Sequence, residues 1–278
     1  MVPLPFDEDT FAILETFRLR GIAAGHSPRT IDARRATITR LALSVDVLTV
    51  DGEGLEQWLA SLGLARSSRA TYRAHLRAFF QWLAKSGRRP DDPSADLPSA
   101  KAPRGVPHPV SPTGVTAILA ACSDPRARLT RAYVLLAAYE GLRVHEIAKV
   151  RGQDIGEGEL RILGKGGAQS SVPLHPLIAE LALTMPATGW WFPSDGPEGH
   201  VSRVSVSLAI GRAMRRAGVD GTPHGLRHHF GTQVLRASGG DLRTTQRALR
   251  HASPATTAIY TQVADETLFR AISGIPAA

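Results

Sequence analysis

Between Thr222 and Thr261 the chain reads TPHGLRHHFGTQVLRASGGDLRTTQRALRHASPATTAIYT, and its reactive side chains are spaced for work on a phosphate. His224 and Arg227 stand three apart, which on a helix puts them on one face. His251 and Tyr260 follow, nine residues apart. An arginine grips two phosphate oxygens at once, an imidazole donates or moves a proton, and a tyrosine oxygen can be a covalent nucleophile. Taken singly, each has an ordinary explanation. His-x-x-Arg is most often a solvated helix face, and a tyrosine near a C-terminus usually packs half-buried. It is their order along one stretch that points to phosphoryl transfer onto a phenol.

A metal centre is the competing chemistry. His224 and His228 lie at i and i+4, but Gly225 stands where the zinc motif HExxH needs a glutamate. Tyr260, Arg227 and the upstream Arg143 would have no task in such a site. Cys122 is the single cysteine, which rules out an intramolecular disulfide and any multi-cysteine metal site, and favours an intracellular address. No metal and no cofactor are expected.

The elements that must carry these residues can be read from spacing. Leu226, Phe230 and Val234 recur every four positions and would anchor the His224–Arg227 helix in a core. Asp241 is placed to cap a helix through Leu249, and Ser253-Pro254 to begin a last one bearing Tyr260. Upstream, Ser111-Pro112 starts a helix. Residues 126–140 make another, with Leu129, Tyr133 and Leu136 on one side and Gly141 placed to end it in the left-handed conformation. Arg143 then sits at a junction, before a short helix opened by Val144-His145-Glu146-Ile147. A cation there is mildly disfavoured by the helix dipole. ELRIL and SSVPL, within 159–174, read as short strands joined by a GKGGAQ turn that carries Lys165. This is not a nucleotide-binding P-loop, because GxxxxGK[ST] is absent. Residues 176–184 and 201–217 read as further helices, the latter with Arg203, Arg212, Arg215 and Arg216.

The first hundred residues have a different character. Segments 8–24, 27–44, 53–62 and 66–86 all carry helical spacing. In the last, Arg66, Arg69, Arg73 and Arg77 form one stripe beside an apolar stripe of Tyr72, Leu76, Phe79 and Leu83. No acidic residue occurs between Glu56 and Asp91. An arginine face is commonly just solvated, but a cationic ridge with no carboxylate nearby also suits a phosphate backbone. From Ser86 to Val110 six prolines interrupt all periodicity, the mark of an interdomain linker.

With 278 residues the chain has room for two domains. Net charge is +8, with 13 basic against 12 acidic residues in 1–100 and 20 against 13 in 101–278. A basic balance is a weak pointer to nucleic acid. No apolar run approaches the roughly 20 residues that span a bilayer. The acidic N-terminal MVPLPFDEDT does not read as a secretion leader.

Read together, YEGLRVHEI, GKGG, HGLRHHFGT, LRH and the Ser-Pro-Ala-Thr-Thr-x-x-Tyr-Thr segment resemble the tyrosine recombinase (phage integrase) family over nearly the whole chain. In layout it is similar to the Xer-type and simple phage integrases, without an extra arm-binding N-terminal domain. The resemblance implies a mainly α, two-domain protein. A helical SAM-like core-type DNA-binding domain would span 1–87 and a linker 88–107. An α+β catalytic domain with a small β-sheet would span 108–278.

It also implies roles. Tyr260 would attack the scissile phosphodiester and form a 3′-phosphotyrosyl link; Arg143 and Arg227 would hold the non-bridging oxygens; Lys165 would protonate the leaving 5′ oxygen. His224 and His251 match the family's two histidines, and Glu146 its supporting acidic residue. His228 and His229 read as structural. Double-stranded DNA would be the substrate, bound by a homotetramer on paired sites with strand exchange through a Holliday junction. Accessory DNA-binding proteins would take part, and the setting would be a bacterial cytoplasm with no membrane. Two departures stand out. Arg250 occupies the usual glycine position before the second histidine, where it either adds a phosphate contact or crowds the turn, and Ala168-Gln169-Ser170 replaces a more basic hairpin end. A type IB-like topoisomerase and a non-catalytic DNA-binding regulator are the alternatives.

Two arginines and a lysine can neutralise a transferring phosphoryl group without a metal, and a covalent intermediate conserves the bond energy for rejoining. Cleavage of a nicked suicide duplex is therefore expected to proceed in EDTA. An absolute magnesium requirement would refute this.

Overall fold

A computed structural model describes residues 7–99, 108–156, 158–163 and 169–250. The chain divides into two compact units, Met1–Arg104 and Gly105–Ala278.

Among the described residues the first unit is built of four helices: α1 (Glu8–Ala23), α2 (Pro28–Ala42), α3 (Gly52–Ser61) and α4 (Arg66–Lys85). Asp7, Ser27 and Asp51 cap the first three by accepting backbone N–H groups of Thr10, Thr30 and Gly54. Ile38, Leu41, Leu55, Leu76, Phe79, Phe80 and Leu83 are wholly buried at the centre. Phe17 meets Phe79 edge-on, with ring centroids 5.2 Å apart. The apolar stripe read along α4 is thus its core face.

The proline-rich stretch after α4 is not entirely free of this unit. Leu97 joins the core. Arg89, 6% exposed, donates to the carbonyls of Val47 and Val50, both at 2.9 Å, and pairs with Asp91 at 3.1 Å. A guanidinium buried in this way satisfies two carbonyls that have no place in a helix or strand. Composition could not show this, since prolines and charges look the same whether the segment packs or floats.

The second unit combines seven helices with a small sheet among the described residues. They are α5 (Pro112–Ala120), α6 (Arg128–Tyr139), α7 (Val144–Ile147), α8 (Pro176–Ala182), α9 (Arg203–Arg216), α10 (Pro223–Ala237) and α11 (Leu242–Leu249). The strands β1 (Ile155–Gly156), β2 (Glu159–Leu163) and β3 (Gln169–Pro173) pair antiparallel in the order β1-β2-β3. Leu160 faces Val172 across β2 and β3, and both are buried. β1 is too short to be seen from sequence periodicity. Helix α6 runs through the core with Ala132–Ala138 buried, and packs against α8, α9 and α10. No helix among the described residues is long and apolar enough to cross a membrane.

Replacing Arg89 with alanine should leave the carbonyls of Val47 and Val50 unpaired, at a cost of about 2–3 kcal/mol. Urea unfolding of the full chain measures this; a loss under about 0.5 kcal/mol, the range of an ordinary surface substitution, would show that water reaches both oxygens.

Candidate active site

Glu146 is where the candidate residues of the second unit meet. It is the third residue of α7, counted from Arg143 as the cap, and its carboxylate folds back to accept the Arg143 N–H at Oε2, 2.7 Å. Its other oxygen, Oε1, accepts from the Arg143 guanidinium at 2.9 Å. The mismatch between a cation and a helix start is resolved in this way, because Glu146 compensates the dipole and orients Arg143 together. Arg143 keeps about a third of its side chain in solvent, while Glu146 is 7% exposed.

Arg227 arrives from α10 and is 1% exposed. Its guanidinium donates to the carbonyls of Gly141 and Leu249, joining the end of α6 to the end of α11. It lies 3.9 Å from Glu146 Oε2. Gly141 makes this approach possible. It takes φ 61° at the end of α6, and a Cβ there would fall 2.3 Å from the Phe230 ring. Helix α10 buries a different face from the one its apolar spacing predicts. Leu226 is fully buried, but Phe230 and Val234 are only half so, and Arg227, His229 and Thr232 turn inward instead. Tertiary hydrogen bonds outweigh periodicity here.

His224, at the start of α10, has its ring 4.4 Å from that of His228 in an edge-to-face contact. Desolvation, followed by the charges of Arg227 and Arg143, lowers the pKa of His224. His228 is pushed down to about 4 by burial, then by His224, Arg227 and His108. Both rings are therefore neutral near pH 7. His229 points elsewhere: its Nδ1 lies 2.8 Å from the Val110 carbonyl, tying the chain ahead of α5 to α10. At Gly225 the backbone crosses closely, with Val110 N–H donating to its carbonyl at 3.1 Å and a Cβ falling 3.0 Å from the His108 oxygen. The glycine that argued against HExxH thus has a packing cause. No group of three or more His, Cys, Asp or Glu residues is disposed to hold a metal among the described residues.

One site residue, Glu140, escaped the functional reading of the sequence, and Arg250, read there as a phosphate contact or a crowding of the turn, takes a carboxylate partner instead. Arg250 follows α11 and donates to Glu146 Oε2 at 2.8 Å. Glu140, at the end of α6, is 2% exposed and accepts the His175 backbone N–H at 3.1 Å. Burial pushes the Glu140 pKa up to about 7, opposed by that hydrogen bond and by Arg250. The available signal was a lone carboxylate at the end of the apolar run VLLAAY. Glu146 behaves oppositely. Burial alone would raise its pKa, but Arg250, the Arg143 N–H, Arg227 and Arg143 together bring it below the ordinary value.

Arg143, Glu146, Arg227 and His224 are thus gathered in one place. Lys165, His251, Tyr260 and the helix expected from Ser253 lie outside the described residues. Arg66, Arg69, Arg73 and Arg77 belong to the other unit, on α4. Arg66 and Arg69 are exposed, whereas Arg73 and Arg77 are half-buried and donate to the carbonyls of Leu97 (2.8 Å) and Ala95 (3.2 Å). The stripe is continuous in sequence but not equally available in space.

A helical unit is followed by an α+β unit in which buried Arg227 and half-exposed Arg143 share Glu146, and comparison with known proteins gives the class. Residues 110–267 match the phage integrase family. The chain is 31% identical over 262 residues to tyrosine recombinase XerD of Rhizobium meliloti (strain 1021), covering 85% of this chain and 83% of that protein. The integrase from mycobacterium phage Brujita is 39% identical with a TM-score of 0.51, covering 94% and 91% of the two chains. A lambda integrase tetramer bound to a Holliday junction gives a TM-score of 0.72 at 18% identity over 89% of this chain and 80% of that one, a likeness of fold alone. The chain belongs to the phage integrase family. It is a tyrosine recombinase, an enzyme that breaks and rejoins DNA strands.

Glu140 supplies a test of the site's electrostatics. Its native pKa lies above the ordinary 4.5, so the unfolded chain ionises first and native stability falls as pH rises from about 4.5 to about 7. Glu140→Gln escapes that loss. It should be more stable than the parent at pH 8, by roughly 3 kcal/mol at most, with the difference vanishing near pH 4. A difference that does not change with pH would show that Glu140 is not held neutral.

Proposed function

We propose that this chain is a site-specific recombinase whose phosphate-holding pair is Arg143 and Arg227, oriented by Glu146. The observation carrying this reading is the single buried carboxylate that pairs with both guanidinium groups, at 2.9 Å and 3.9 Å. Two cations held near one point before substrate arrives can hold a phosphodiester's two non-bridging oxygens, and their charge offsets what accumulates there in the transition state.

The reaction follows from this. The Tyr260 oxygen attacks phosphorus in line with the bond to the 5′ oxygen. The phenol proton passes to a neighbouring base as the new P–O bond forms, the P–O5′ bond breaks, and the departing oxygen takes a proton from Lys165. The 3′ end stays on the tyrosine, so reversal by another strand's 5′ hydroxyl reseals DNA without ATP. His224 and His251 would hydrogen-bond the phosphate oxygens or relay the proton. The low pKa of His224 suits such a neutral role.

The first unit would be the SAM-like core-type DNA-binding domain, with exposed Arg66 and Arg69 on phosphates. Arg73 and Arg77 would add charge while also securing the segment that follows α4. Action on paired sites as a homotetramer, through a Holliday junction, follows the arrangement described for lambda integrase.

A duplex selected from a random pool with Tyr260→Phe protein, then remade with a nick beside the cleavage point, tests the chemistry. The parent should form a covalent protein–DNA adduct. Tyr260→Phe should bind equally and form none. An adduct that persists in Tyr260→Phe would move the nucleophile elsewhere, and equally fast relaxation of plasmids lacking the selected site would make the enzyme a topoisomerase.

A further inference from the structure

Arg250 has no place in the reaction just described, yet it is held inside the site against local preference. It has φ 53° and ψ 45°, and it is the only non-glycine residue with positive φ among those described. A residue with a Cβ disfavours that conformation, which glycine adopts freely. The side chain is 9% exposed, and its Nε is buried with no hydrogen-bond partner among the described residues. Strain of this kind persists where the surroundings enforce it, and it clusters at functional sites.

What the guanidinium touches is specific. Nη2 donates to Glu146 Oε2 at 2.8 Å and to the Gly141 carbonyl at 3.4 Å; Nη1 donates to the Ala248 carbonyl at 3.3 Å. Glu146 is therefore faced by Arg143 and His145 from its own turn, by Arg227 from α10, and by Arg250 from beyond α11. Arg250 in turn faces Glu140 from the end of α6. Arg250 adds a third cation to Arg143 and Arg227 around Glu146, and Glu140, with its pKa raised to about 7, is only partly ionised, so the cluster is clearly positive.

We infer that Arg250 is a positioning residue of the strand-breaking site: by gripping Glu146 it fixes the carboxylate that orients Arg143, and its charge leaves Arg143 and Arg227 to the phosphate. The inference rests on the reading of those two arginines as the phosphate clamp. It adds a dependence on a side chain at a position where glycine would satisfy the backbone better.

The experiment compares the full-length parent with Arg250→Gly, Arg250→Lys, Glu146→Gln and the Arg250→Gly/Glu146→Gln double variant on the selected nicked duplex. Arg250→Gly should slow covalent adduct formation about a hundredfold, the scale of a misplaced catalytic group, with little change in duplex binding. Its acid limb should move to higher pH, because Glu146 then protonates more readily. Arg250→Lys, which keeps the charge, should restore most of the rate and the limb. In the Glu146→Gln background, Arg250→Gly should cost less than about threefold further, because the two residues act as a pair. Parental rate and acid limb in Arg250→Gly would overturn the inference. So would an equal penalty with and without Glu146, the mark of a residue that only packs the turn. A second measurement needs no DNA: acid unfolding of Arg250→Gly should begin at higher pH than in the parent, and unchanged acid unfolding would sever Arg250 from Glu146. If even the parent fails to cleave the selected duplex, the recombinase reading falls, while acid unfolding still decides the pairing.

Discussion

The second unit depends on one buried carboxylate. Glu146 draws together the cap of α7, a guanidinium from α10 and another from the residue after α11, three places far apart in sequence. Burying any of these ions alone would be costly, and the pairing is what makes their burial tolerable. Arg227 adds a mechanical link, since it bonds carbonyls at the ends of α6 and α11 at once. The cluster therefore fixes backbone as well as charge.

That arrangement has a direct chemical consequence. A phosphodiester carries one negative charge and gains no covalent help from the protein's cations, so the enzyme must position the group and balance its charge. Side chains that must find their geometry after binding waste part of the interaction in ordering. Here Glu146, two carbonyls and the packing of Phe230 against Gly141 set that geometry beforehand. The neutral, edge-to-face pair His224 and His228 lies beside the cations without adding to their charge.

The first unit shows how far a charge pattern can be trusted. The arginine stripe of α4 and its lack of neighbouring carboxylates are plain in the sequence, and the helix forms over nearly the predicted span. Sequence spacing treats four arginines alike, however. Folding sends Arg73 and Arg77 to carbonyls of the segment after α4 and leaves Arg66 and Arg69 outside.

Local code was enough for the helices with cap signals, such as Asp7, Ser27-Pro28 and Ser111-Pro112, for the β2–β3 hairpin, and for the left-handed Gly141. These features depend on interactions within a few residues, which spacing and residue type record directly. The reactive residue types and their order were also legible, because phosphoryl transfer asks for few kinds of side chain. What remained for the tertiary structure was partnership. That Glu146 would bind Arg250, 104 positions away, that Glu140 would sit dry at the end of α6, and that α10 would bury Arg227 while leaving Phe230 half-exposed are all decided by long-range packing. No local pattern reports the dielectric around a carboxylate or the chain that happens to lie beside it, and those two quantities set both its charge and its role.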